Sequence, residues 1–184
     1  MTSFSLQNTD TAPQASQPLL AAAEKAYGFL PNLLRGMAAS PALLEGYMTL
    51  AGIFDKTNLT ETERQIILMT SNRLNGCTYC MAAHSAISLG AGVPADVVSA
   101  LRSGESIDDA RLEALRQFTV KVVESRGWPT EEDVLGLLAA GYTTQTVLDV
   151  VLGTSLKVMS NYTNHIVQTP LDPVFEAHAW SPVR

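Results

Sequence analysis

The feature that most constrains this chain is where its glycines and prolines fall. They sit between apolar-periodic stretches and seldom inside them, and no segment from residue 60 to 170 alternates apolar and polar residues with the period of two that a half-buried strand requires. That punctuation predicts an all-α bundle of about eight helices. The first runs over residues 17–27 and ends at Gly28, and a short piece starting at Pro31 ends near residue 39. Ser40 followed by Pro41 opens a helix over 41–56, and Thr60 with Glu63 forms a capping box before Ile66, Ile67 and Leu74, in a helix that stops near Gly76. Further helices are expected over 77–89, 94–101, 108–126, 130–140 and 144–168, the last stopping before Pro170. Residues 1–16 read as a flexible polar leader and 17–184 as a single domain.

A length of 184 residues suits one core, and 46% hydrophobic against 16% charged residues supplies enough apolar side chain to fill it. Lysine and arginine total 12 against 18 acidic residues, a net charge of −6, and no stretch gathers the cations, so a nucleic-acid partner is not expected. The longest apolar runs, 66–69 and 147–152, fall far short of the roughly 20 residues that cross a bilayer, so neither a transmembrane helix nor a membrane partner is expected. The first seventeen residues hold neither a basic n-region nor an apolar h-region, which points to the cytoplasm. A small chain with so few charges and apolar residues on several helix faces is expected to hide some of them between subunits of a homo-oligomer.

The chemistry concentrates in Gly76-Cys77-Thr78-Tyr79-Cys80-Met81-Ala82-Ala83-His84. On a helix, offsets of three, four and seven put Cys77, Cys80 and His84 along one face. A thiol is nucleophilic as its thiolate, and both a helix N-terminus and a neighbouring imidazole raise that fraction. Two thiols at this spacing can also close into a disulfide, which suggests attack by one and resolution by the other. Two further readings stand beside this one. The cysteines can be plain buried hydrophobes, or Cys77, Cys80 and His84 can ligate zinc with His165 or His178 as the fourth ligand, although structural zinc sites usually draw ligands from a turn and a separate element.

The stretch 59–90, LTETERQIILMTSNRLNGCTYCMAAHSAISLG, resembles the core motif of the AhpD-like alkylhydroperoxidases in the carboxymuconolactone decarboxylase superfamily. Phe29-Leu30-Pro31-Asn32-Leu33 and Asn161-Tyr162-Thr163-Asn164-His165 resemble the peroxidase-related branch of that superfamily. The resemblance implies an all-helical homo-oligomer that reduces a small-molecule hydroperoxide with electrons from a dithiol reductant or redox partner protein, without a cofactor or metal. It further implies Cys80 as the attacking thiolate, Cys77 as the resolving thiol and His84 as the proton acceptor. The family glutamate, twelve residues before the first cysteine, is here Gln65, which can orient His84 but cannot take up a proton. Glu61, one turn earlier on the same face, is a possible substitute, whereas Glu63 is expected to point elsewhere; both also suit a helix N-terminus.

The superfamily's lactone decarboxylation makes no use of a redox dithiol, and a dithiol sensor without turnover is the alternative from the binding class. Asn161, Asn164 and His165 either line the site or tie helix ends together, the second being favoured. Trp128 and Trp180 are expected to pack.

Overall fold

The computed structural model describes residues 4–182 and is all-helical, with no strand among the described residues. The helices are α1 (Gln17–Tyr27), α2 (Asn32–Met37), α3 (Pro41–Phe54), α4 (Glu61–Leu74), α5 (Thr78–Gly90), α6 (Ala95–Ser103), α7 (Ala110–Glu124), α8 (Glu131–Ala139) and α9 (Thr144–Val167). A 3₁₀ turn over Pro173–His178, absent from the sequence reading, completes them. No single helix among the described residues is long and apolar enough to cross a membrane.

The expected caps form. Thr60 accepts from the Glu63 amide while the Glu63 carboxylate accepts from the Thr60 amide, and Ser40 caps α3 through its side chain; α7 starts at Ala110, two residues later than expected, with Asp109 as its side-chain cap. Pro31 and Pro94 lie just outside α2 and α6 as N-caps, each helix beginning one residue later than its proline. Of residues 1–16, expected as a flexible leader, 1–3 lie outside the described residues, and the rest is largely exposed but touches the body at a few points. The Gln7 amide donates to the Arg35 carbonyl, the Ser16 hydroxyl donates to the Ala38 carbonyl, and Ala12 is buried.

Helix α4 is the centre of the bundle, packing against α5, α6, α7 and α9. Its core residues Ile66, Ile67 and Met69 are fully buried, beside Phe54, Leu115 and Val150 from α3, α7 and α9. A second cluster, built from Leu20, Leu33, Leu34, Met37 and Leu44, surrounds the two cysteines. Gly153 sets the approach of α9 to this centre, because a Cβ there would stand 2.7 Å from the Ile67 side chain and 2.9 Å from the Phe54 ring.

That contact reverses the usual effect of replacing a helical glycine. Gly153→Ala is expected to lower stability by about 1 kcal/mol, overpacking outweighing the better helix propensity of alanine. Gly52→Ala, in α3 with nothing within 4 Å of its added methyl, is expected to raise stability by up to about 1 kcal/mol. Urea unfolding of the two variants beside the parent chain measures both signs.

Candidate functional site

The turn between α4 and α5 delivers the cysteines. Gly76, at φ +65°, donates its amide to the Arg73 carbonyl, and the Cys77 amide donates to the Asn72 carbonyl, the paired bonds of a Schellman turn. Cys77 thereby becomes the N-cap of α5, and Cys80 lies in its first turn, where unpaired backbone N–H groups favour negative charge. Both thiols are free and buried.

Helix α9 covers them. Asn164, 5% exposed, donates from Nδ2 to the Cys80 Sγ at 3.1 Å and reaches the Cys77 Sγ at 3.8 Å, while its Oδ1 is buried without a hydrogen-bond partner. Asn161 donates to the Asn72 Oδ1 and accepts from Asn75, tying α9 to the end of α4. Asn164 therefore belongs to the site, in place of the helix-tying role expected of it, and Asn161 joins the two functions. His165 is exposed and stacks on Tyr162, away from the sulfurs.

The two thiols are electrostatically unequal. Cys77 keeps its proton and donates it toward the Cys80 sulfur; that bond, burial and the neighbouring thiolate all raise its pKa. Burial also opposes ionisation of Cys80, but the Cys77 thiol, the Lys157 charge and the polar groups of Ser160 and Asn161 outweigh it and bring the Cys80 thiol down to about 5. The surroundings thus favour ionisation of Cys80 over Cys77.

Lys157 is the residue that sequence reasoning missed. It is 1% exposed, and its Nζ donates to the His84 Nε2 at 2.9 Å. The available signal was its register: residues 150, 153, 157, 160, 161 and 164 share one face of α9, and a lysine in that stripe must point inward. His84 is held neutral, its pKa lowered well below the ordinary value by burial and by Lys157. Its Nε2 lone pair is therefore free to accept, and Nδ1–H donates to the Gln65 Oε1 at 2.8 Å. Gln65 in turn donates to the Glu61 Oε1 at 2.8 Å, and Glu61 also pairs with Arg64. A directional chain runs from Lys157 through His84 and Gln65 to Glu61. The bonds His84 makes go to Gln65 and Lys157, so the imidazole bears on Cys80 by holding the ammonium. Glu63 points elsewhere, to Thr60 and Arg111.

A cavity of about 160 Å³ leads to His84 and Lys157. Its walls include Tyr27, Phe29, Tyr47, Tyr79 and Phe175, with Phe175 edge-on to both Phe29 and Tyr79. The Tyr79 hydroxyl donates to the buried Asp172 carboxylate, which also accepts the Asn32 amide and so pins the C-terminal turn bearing Phe175 over the cavity. Among the described residues no group of three or more His, Cys, Asp or Glu side chains is placed to hold a metal, and Cys77, Cys80 and His84 make no zinc cluster with His165 or His178. Trp180 packs, donating to the Arg102 carbonyl, but Trp128, expected to pack, is 85% exposed.

The bond from Asn164 is charge-assisted, of a kind worth about 1.5–3 kcal/mol. Asn164→Leu is expected to raise the Cys80 pKa by at least about 1 unit, at 1.36 kcal/mol per unit. Thiolate absorbance followed against pH measures this: the parent chain is expected to show one thiol titrating near pH 5 and the second remaining protonated through neutrality.

Residues 41–121 match the carboxymuconolactone decarboxylase family model. No curated protein matches the chain. Among solved structures, a peroxidase-related protein from Silicibacter sp. TM1040 superposes with a TM-score of 0.82 at 20% identity, covering 96% of this chain and 95% of that one. A second, described as an alkylhydroperoxidase AhpD core and peroxidase-related protein from Ralstonia eutropha JMP134, gives 0.80 at 21% identity over 98% and 97% of the two chains. A cysteine-to-alanine variant of the debrominase Bmp8, in complex with 2,3,4-tribromopyrrole, gives 0.80 at 20% identity over 97% and 96%. The family match lies over the central helices, and over nearly its whole length the chain shares the fold of these AhpD-like, peroxidase-related structures.

Proposed function

We propose that the chain reduces hydroperoxides through its dithiol, with Cys80 as attacking thiolate and Cys77 as resolving thiol. The observation that carries this reading is the placement of the pair: two free thiols at the start of α5, with the Asn164 amide donating to Cys80 and surroundings that lower the Cys80 pKa and raise that of Cys77, near a cavity lined by Tyr79 and His84. Cys80 attacks the terminal peroxide oxygen, the O–O bond breaks, and the leaving oxygen departs as an alcohol once it gains a proton. The Cys80 sulfenic acid then condenses with the Cys77 thiol, releasing water and closing a disulfide. An external dithiol or redox protein, available in a reducing cytoplasm, reopens it by exchange. Lactone decarboxylation would leave this dithiol without a use.

The aromatic walls of the cavity favour a second electrophile for the same sulfurs, a small halogenated aromatic ring, of which the debrominase's tribromopyrrole is an example. There the dithiol would supply two electrons and a proton, giving the dehalogenated ring, halide and the same disulfide.

The homo-oligomer expected from composition has a candidate face. Leu148, Val151, Val158, Tyr162 and Ile166 are exposed along one side of α9, beside a groove of about 590 Å³. We assign this face to contact with another copy. Light scattering after size exclusion tests it, and Leu148→Lys with Val158→Lys is expected to shift the population toward monomer.

Peroxide consumption in the presence of dithiothreitol or dihydrolipoamide tests the activity. The parent chain is expected to turn over repeatedly, Cys80→Ser to lose reaction, and Cys77→Ser to react once without forming the internal disulfide. One oxidation per subunit and no turnover in the parent would instead make the pair a sensor. Bromide release from a bromopyrrole under the same reductant would favour the second electrophile.

A further inference from the structure

The reaction leaves one requirement unassigned: the departing oxygen needs a proton. His84 does not hold it, because its Nδ1–H is committed to Gln65 and its Nε2 is an acceptor. Gln65 has no acidic proton, and Cys77 needs its own for the water released on disulfide closure. Tyr47, Tyr79 and Tyr27 line the cavity as neutral phenols, all held above the ordinary phenol range by burial first, with Tyr79 also committed to Asp172.

Lys157 is different. Among the described residues its Nζ has one hydrogen-bond acceptor, His84, and no carboxylate within ion-pair distance. Three donors on one ammonium leave two unclaimed. The groups facing it are Tyr47 from α3, Cys80 and His84 from α5 with Cys77 at its N-cap, and, behind Gln65, Glu61 from α4. The counter-charge of this buried ammonium is thus the Cys80 thiolate, and a disulfide would remove it. A charge left unpaired at such depth is strongly disfavoured.

We propose that Lys157 is the proton donor of the site, a role that rests on the hydroperoxide reading. Cys80 thiolate, Lys157 ammonium and ROOH give Cys80 sulfenic acid, neutral Lys157 amine and ROH. Cys77 thiol and the sulfenic acid then give the disulfide and water. A dithiol reductant brings two protons: one returns to Cys77, the other to Lys157, and Cys80 is released as thiolate. The buried site is neutral overall at every stage, which removes the need for the carboxylate that Gln65 replaces.

The test uses two oxidants that differ in the basicity of what leaves. Cumene hydroperoxide expels an alkoxide, which requires a proton; peracetic acid expels acetate, which does not. Single-turnover oxidation is followed for the parent chain, Lys157→Met and Lys157→Arg, each rate divided by the thiolate fraction read from ultraviolet absorbance. For Lys157→Met, the corrected rate with cumene hydroperoxide is expected to fall about 100-fold, in the range of general-acid contributions, while the rate with peracetic acid changes little. Lys157→Arg keeps the charge but does not release a proton, so it is expected to retain the thiolate and still be slow with cumene hydroperoxide. In the parent chain, a normal solvent deuterium isotope effect is expected with cumene hydroperoxide and none with peracetic acid, a comparison that needs no variant to fold. Equal losses with both oxidants, or an isotope effect that does not distinguish them, would overturn the role of Lys157 while leaving hydroperoxide reduction intact. A parent chain that consumes neither oxidant overturns the hydroperoxide reading itself.

Discussion

A lysine enclosed by helices, hydrogen-bonded to His84 and near enough to Cys80 for its charge to favour the thiolate, is the group around which the site is organised. Neither ion would be stable alone at that depth, since burial disfavours each charged form. Together they hold one another in place, and the other polar groups complete the arrangement. Asn164 donates to the sulfur, His84 accepts from the ammonium, and Cys77 keeps its proton because its neighbour has lost one. The division of labour within the dithiol is therefore a property of the surroundings, the two thiols being chemically alike.

Getting those groups together demands close helix packing. Lys157 and Asn164 come from α9, the sulfurs from the start of α5, and Gln65 from the middle of α4, so three helices must meet with little space between them. Gly153 lets α9 approach Ile67 and Phe54, where a side chain would hold it away. The Schellman turn at Gly76 then brings α5 back beneath α9 and places Cys77 at the helix entrance. Both glycines serve the site from a distance, one by absent volume and the other by a backbone conformation that other residues seldom adopt.

The chain from Glu61 to Lys157 shows how one amide sets proton positions. Glu61, as a carboxylate, can only accept, which fixes the Gln65 NH₂ toward it and the Gln65 carbonyl toward His84. The imidazole must then carry its proton on Nδ1 and present a lone pair to Lys157. The glutamine, read from sequence as able to orient His84 but not to take up a proton, works in the structure as a tautomer selector, and the proposed proton donor lies at the other end of the chain.

Helix identity was legible from local chemistry: the Thr60–Glu63 capping box, the Ser40 cap and the terminating glycines act within a few residues and leave their mark in the linear order. So was the nearness of Cys77 and Cys80 at one helix entrance, because a single helix turns sequence spacing directly into proximity, whereas the bonds of His84 go to Gln65 and Lys157. The 3₁₀ turn at Pro173–His178 was not, since the Asp172 contacts with Tyr79 and Asn32 that hold it span roughly half of the chain or more. Nor were the contacts of Gln7, Ala12 and Ser16 with the body or the exposure of Trp128. Lys157 and Asn164 lie more than 70 residues beyond the cysteines, and only the packing of α9 across α5 decides that they face sulfur and imidazole instead of solvent. The sequence by itself determined the two thiols, their spacing and the helix that presents them, and the tertiary structure decided which polar groups surround each sulfur, because Lys157 and Asn164 arrive from another helix.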